Sequence, residues 1–145
     1  HARRSSLLDG ACLCRNVSQV QFQSPSGNIV CVLSGTHATC GAQQSSWRSY
    51  SARARGCTED WYPATVWFGQ QGFRRGACLG GPRFLCPLIE EQPAMFAGHR
   101  CVTLGYGQRL RRGAFMCASR VDGVTCRDRR GKGFRIARAG LTIWR

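Results

Sequence analysis

Ten cysteines and twenty-one basic side chains are the groups in this 145-residue sequence with chemistry to offer. Unpaired cysteines bind metal or react, whereas paired ones brace a fold. Spacing argues for pairing. The sequence holds no Cys-x-x-Cys, and Cys12 and Cys14 stand too close for a zinc knuckle. His1, His37 and His99 show no His-x₃₋₅-His spacing. No metal and no cofactor are expected, and an even number of cysteines without metal or redox motifs points to an extracytoplasmic chain, secreted or held at the cell envelope.

The basic residues are 20 Arg and one Lys against seven acidic residues, a net charge of +14. A GC-rich genome would produce the same preference for Arg, but the charge acts whatever its origin. Guanidinium groups grip phosphate or carboxylate with two bonds and stack on aromatic rings. Three stretches combine them with glycine and aromatics: Gly72–Gly76, Arg109–Gly113 and Arg127–Arg135. They supply the candidates for polyanion binding: Arg74, Arg75, Arg109, Arg111, Arg112, Arg129, Arg130, Lys132 and Arg135. Arg109 and Arg111 flank Leu110, so on a strand they share one face.

Catalytic sets are harder to assemble. A nuclease would need His37, His99 and Lys132 to converge on a phosphate. A glycan hydrolase would need two facing carboxylates from Asp9, Glu59, Asp60, Glu90, Glu91, Asp122 and Asp128, and the adjacent Glu59 and Asp60 point apart on a strand. No Gly-x-Ser-x-Gly elbow is present. Trp61, Tyr62, Trp67 and Phe68 lie between two cysteines and are expected to pack over a disulfide as core rather than form a sugar platform.

These groups must be carried by short strands. From Val20 onward, β-type runs recur about every ten residues between Gly, Ser and Pro, the pattern of a small sandwich or barrel. The expected fold is all-β: a small disulfide-rich antiparallel sandwich or partly open barrel with short helices at most, the helical candidates being Gln43–Tyr50 and Gln92–Gly98. Residues 1–19 read as a basic arm, and 20–145 as one β domain with an insertion near 81–101. No uninterrupted apolar run exceeds five residues, as in Ile29–Leu33, far short of a membrane span. The sequence contains no charged-then-apolar leader, and His1 reads as the start of a processed or trimmed chain.

Two segments share the form Cys-x₈-Cys: Cys31 to Cys40 and Cys117 to Cys126. A hairpin pairing Cys31 with Cys40 turns at Gly35-Thr36, where Gly in first position suits a type II′ turn. Pairing Cys117 with Cys126 leaves Arg120–Gly123 as the loop, with Gly123 left-handed. Directly opposed residues bring their β-carbons within disulfide reach. Cys57 and Cys78 flank the run Trp61–Phe73 and are paired next. Cys12, Cys14, Cys86 and Cys101 remain; the simplest outcome ties the arm to the 80–101 segment, with connectivity open.

The strings Phe22–Cys31, Cys57–Trp61, Leu104–Gln108, Gly113–Ser119, Gly123–Cys126 and Gly131–Phe134, taken in order, resemble a family of small secreted or lipid-anchored actinobacterial domains of unknown function, found in mycobacteria and relatives. The resemblance covers roughly residues 20–145. It implies the same three pairings, because that family carries equivalents of Cys31, Cys40, Cys57, Cys78, Cys117 and Cys126. Lys132 stands where the family commonly has His, and Leu79-Gly80-Gly81 replaces its usual Gly-Asp. The arm and the longer 81–101 segment look like paired additions. The family implies a location and a scaffold, and no activity.

The functional expectation is a non-catalytic envelope-binding module whose Arg-rich loops engage an anionic polymer or lipid surface, or another envelope protein. Nucleic acid would bind only non-specifically. The alternatives are a structural module docking a protein through the 81–101 insertion, and a hydrolase on envelope polymer or RNA.

Overall fold

A computed structural model describes residues 19–47, 56–58, 60–79 and 101–145. Eleven strands run through them: β1 (Gln19–Gln23), β2 (Ile29–Ser34), β3 (His37–Ala42), β4 (Asp60–Gly69), β5 (Gly72–Leu79), β6 (Cys101–Thr103), β7 (Arg109–Arg112), β8 (Phe115–Arg120), β9 (Gly123–Arg127), β10 (Gly133–Ile136) and β11 (Leu141–Trp144). They form two sheets, ordered β5-β4-β3-β2-β1-β6 and β11-β10-β9-β8-β7. Neither closes into a barrel. The sheets face each other with β2 over β7 and β8, β3 over β8 and β10, and β4 over β10. This is the all-β sandwich expected from the strand spacing.

Alternation within each strand builds the core. Val20, Phe22, Ile29, Cys31, Leu33, Ala38, Cys40, Val66 and Phe68 point inward from the larger sheet. Leu110, Phe115, Cys117, Val124, Cys126, Phe134 and Ile136 meet them from the smaller one. The Cys-x₈-Cys hairpins are at its centre. Cys31 sits opposite Cys40 and Cys117 opposite Cys126, each bonded pair with Cα atoms 4.0 Å apart. Cys40 Sγ and Cys126 Sγ are 4.0 Å apart, so the two bridges pack on one another across the sandwich. Cys57 and Cys78 form the third disulfide, with Cys78 exposed. Cys12, Cys14 and Cys86, and with them the arm-to-insertion linkage, lie outside the described residues; of Cys101 only the backbone is described.

The turns differ from expectation in instructive ways. Gly35 does not take the positive φ of a type II′ turn. Instead Ser34 Oγ accepts from the backbone N–H groups of Thr36 (3.1 Å) and His37 (3.2 Å), so a side-chain turn closes the β2–β3 hairpin. The φ pattern of a type II′ turn occurs in the β7–β8 hairpin, where Gly113 has φ 58° ahead of Ala114. That tip packs on the Gly35 tip: a Cβ on Gly113 would lie 3.2 Å from Gly35 Cα. The β8–β9 loop is shorter than expected, Val121-Asp122, because Arg120 and Gly123 pair; Gly123 has φ 129°.

Three other expectations need correcting. The sandwich is not wholly antiparallel: β6 runs parallel to β1, because no hairpin ties their directions. The described part of the helical candidate at 43–50 is not helical; Gln43–Trp47 crosses from one sheet to the other. Trp47 closes the core at that end, its Nε1–H donating to the Ala137 carbonyl at 2.7 Å. Gln92–Gly98 lies outside the described residues. The aromatic run divides by strand parity. Phe68 enters the core, edge-on to Phe115 at 5.5 Å, whereas Trp67 faces outward.

Candidate functional site

Parity and register decide which arginines meet. With Leu110, Cys117, Cys126 and Phe134 turned inward, their neighbours face out from the smaller sheet. One outward row across β7–β11 is Arg111, Met116, Arg127, Gly133 and Trp144; the next is Arg109, Ala118, Thr125, Arg135 and Thr142. Strands lie about 4.8 Å apart and alternate residues about 6.8 Å apart along a strand. The backbones of Arg111 and Arg127 are therefore about 10 Å apart, and those of Arg109 and Arg135 about 14 Å. Arg109, Arg111 and Arg127 are exposed.

Local contacts hold these groups against the sheet. Arg111 Nη2 lies 3.7 Å from Met116 Sδ. The Arg127 guanidinium reaches across Gly133 to stack 4.2 Å from the Trp144 ring, and donates to the Gly131 carbonyl at 3.4 Å. Arg135 pairs with Asp122 at 3.3 Å, an exposed pair that water screens. Gly133 permits the close β9–β10 approach: a Cβ there would overlap the Cys126 carbonyl oxygen and come within 2.8 Å of Arg127 Cα. Gly133→Ala is accordingly expected to destabilise the domain by about 3 kcal/mol, read by urea unfolding. A loss below about 1 kcal/mol would show that this strand pair can open without cost.

The loop after β9 spends part of its charge internally. The Asp128 carboxylate accepts from the backbone N–H groups of Arg130 (2.8 Å) and Lys132 (3.1 Å) and from the Arg130 guanidinium at 3.1 and 2.8 Å. Its side chain is only 7% exposed. Burial alone would raise its pKa, but the Arg130 side chain and these backbone donors together hold it below the ordinary carboxylate value. Arg130 is thus a counter-ion of its own turn. Arg129 is exposed and Lys132 half-buried. Arg112, half-buried, donates to the Arg111 carbonyl at 3.0 Å.

The third basic stretch stays apart. Arg74 and Arg75 are on β5, the edge of the larger sheet, and neighbouring residues on a strand face opposite ways. Arg74 lies 4.2 Å over the Trp67 ring, which stacks in turn on His37 with centroids 5.6 Å apart. His37 Nδ1 is 3.1 Å from both Ser34 Oγ and Thr36 Oγ1. Burial, then the charge of Arg74, push its pKa below the usual value, so it stays neutral to lower pH. This stack belongs to the outer face of the larger sheet, where Gln21, Val30, Ser34 and Thr65 are buried. The outer face of the smaller sheet is the open one.

Two of the three stretches therefore share one surface, to which Arg127, part of a named stretch but not among its candidate residues, and Trp144 also belong. The signal for Arg127 was at hand: an inward Cys126 requires an outward Arg127. Asp122 and Asp128 are each engaged by a guanidinium. His1, His99, Asp9, Glu59, Glu90, Glu91 and the 81–101 insertion lie outside the described residues, as does the Asp60 side chain. Among the described residues no three His, Cys, Asp or Glu side chains gather as a metal site, and no helix is long and apolar enough to cross a membrane.

Fold and site together define a disulfide-braced β-sandwich with one open, arginine-bearing sheet. The chain belongs to DUF6636, a family of unknown function whose model matches residues 4–144. The match takes in most of the N-terminal arm, which the motif resemblance starting near residue 20 leaves out. No curated protein and no solved structure matches the chain significantly.

Proposed function

We propose that this domain is a non-catalytic binding module working outside the cytoplasm, and that the β7–β11 face docks on an anionic component of the cell envelope. The observation that carries the reading is the pair of registered rows on that face, which set Arg109, Arg111, Arg127 and Arg135 on one open sheet. Disulfides persist where the environment is oxidising, which supports the location. A flat array of guanidinium groups, one already lying on Trp144, suits repeated phosphate or carboxylate groups rather than one small ligand.

Salt is the direct test. Retention of the purified domain on vesicles containing anionic phospholipid, and on immobilised polyphosphate, is expected to fall at least about tenfold between 50 and 300 mM salt. Stronger retention on vesicles identifies a lipid surface as the source of the charge, and stronger retention on polyphosphate identifies a polymer. Salt-independent retention on both, or none at low salt, refutes the reading.

A further inference from the structure

The end of the sandwich opposite the Asp128–Lys132 loop holds a cleft of about 810 Å³ between loops of the two sheets. One wall comes from residues 24–28 and 43–44, the other from Tyr106, 120–123 and 137–139. The first wall is polar and ordered in advance. Asn28 Oδ1 accepts from the Gln44 backbone N–H at 2.7 Å, and Asn28 Nδ2 donates to the Gln44 carbonyl at 3.1 Å. Gln43 Nε2 donates to the Gly27 carbonyl at 2.9 Å. These bonds leave one Asn28 N–H, the Gln43 carbonyl oxygen and the whole Gln44 amide able to meet a ligand.

The second wall is of another kind. Tyr106 and Val121 are 54% and 84% exposed, the large hydrophobic side chains most open to water among the described residues, and both line this cleft. Arg120 and Arg138 join them, and neither pairs with a carboxylate among the described residues. The backbone N–H groups of Gly27, Gln43 and Gln44 are spent within the rim, so on the first wall these three offer a ligand no main-chain donor. An exposed aromatic ring, fixed side-chain amides and two guanidinium groups suit a ligand with an apolar ring face, several hydroxyls and a carboxylate.

We propose that this cleft is a second binding site, specific for an acidic saccharide: the sugar ring lies on Tyr106, its hydroxyls meet the amides of Asn28, Gln43 and Gln44, and its carboxylate meets Arg120 and Arg138. The cleft adjoins the β7–β11 face, because Arg120 follows Ala118 outward on β8 and Asp122, which lines the cleft, pairs with Arg135. The saccharide site does not depend on the reading of that face.

The experiment is calorimetric titration of the domain at 300 mM salt, where the open sheet is screened, with a hexasaccharide containing glucuronic acid and a neutral glucose hexasaccharide. The acidic chain is expected to bind at least tenfold more tightly. Tyr106→Ala and Arg138→Gln are each expected to weaken it about tenfold, with unchanged melting temperatures because both side chains are exposed. Arg109→Glu with Arg111→Glu, on the open sheet, is expected to leave it unchanged. No measurable binding, equal affinity for the neutral chain, or sensitivity to the open-sheet variant but not to Tyr106→Ala would each overturn the proposal.

Discussion

Replacing Arg109 and Arg111 together by Glu is expected to weaken binding to anionic vesicles by at least about 30-fold. A basic side chain near such a surface is worth about 1 kcal/mol, so losing two removes about 2 kcal/mol before the new carboxylates add repulsion. Both residues are exposed, on one strand face, with no carboxylate partner among the described residues. The proper control is Arg74→Glu with Arg75→Glu. Each Arg→Glu exchange lowers the net charge by two, so both double variants fall from +14 to +10. The β5 pair lies on the other sheet, and its variant is expected to lose only a few-fold. Equal losses would mean that bulk charge, and not the β7–β11 face, does the binding. No loss in either would remove electrostatics altogether. Melting should move little in both, because these are surface positions, with the Arg74–Trp67 stack worth about 0.5–1 kcal/mol.

Sheet topology separates stretches that the sequence alone left alike. The three basic stretches look alike, with Arg beside Gly and an apolar neighbour in each. What separates them is tertiary: β7, β9 and β10 share a sheet, while β5 edges the other one. Local rules did carry the hairpins. Equal Cys spacing and glycine-bearing turns agreed on Cys31–Cys40 and Cys117–Cys126, and each is a directly opposed pair. Turn chemistry was less legible, because Ser34 closes through its hydroxyl a turn that Gly35 was expected to close through its backbone. Trp67 was expected to pack over a disulfide because its aromatic run lies between two cysteines, yet the inward Phe68 beside it turns it out. The cleft at the far end had no sequence signature at all. Its residues come from five separate segments, and each reads singly as an ordinary polar loop.

Removing a core disulfide is the stability change with the largest expected effect, and two opposing contributions decide its rank among the three bridges of the described residues. Chain entropy favours the longer loop: Cys57–Cys78 spans 21 residues, against 9 for Cys31–Cys40 and Cys117–Cys126. In that account each is worth about 3 kcal/mol, and the longer one gains less than 1 kcal/mol over the others. Burial works the other way. Cys31, Cys40, Cys117 and Cys126 are wholly buried, so changing either pair to Ala also strips two sulfur atoms from the core, costing about 1–2 kcal/mol more. Burial wins. Cys31→Ala with Cys40→Ala is expected to cost about 4–5 kcal/mol, close to the whole stability of many small domains, and Cys57→Ala with Cys78→Ala about 3 kcal/mol. Because Cys40 and Cys126 touch, the two core removals should not add, and a double-mutant cycle should show coupling above about 0.5 kcal/mol. Exposure sets the order of reduction as well. Under graded reductant with alkylation and mass analysis, Cys57 and Cys78 should label first with the fold retained. The four core cysteines should then label together as the sandwich opens. Core cysteines labelling first, in a domain that still melts cooperatively, would mean that the stacked bridges do not hold the two sheets together.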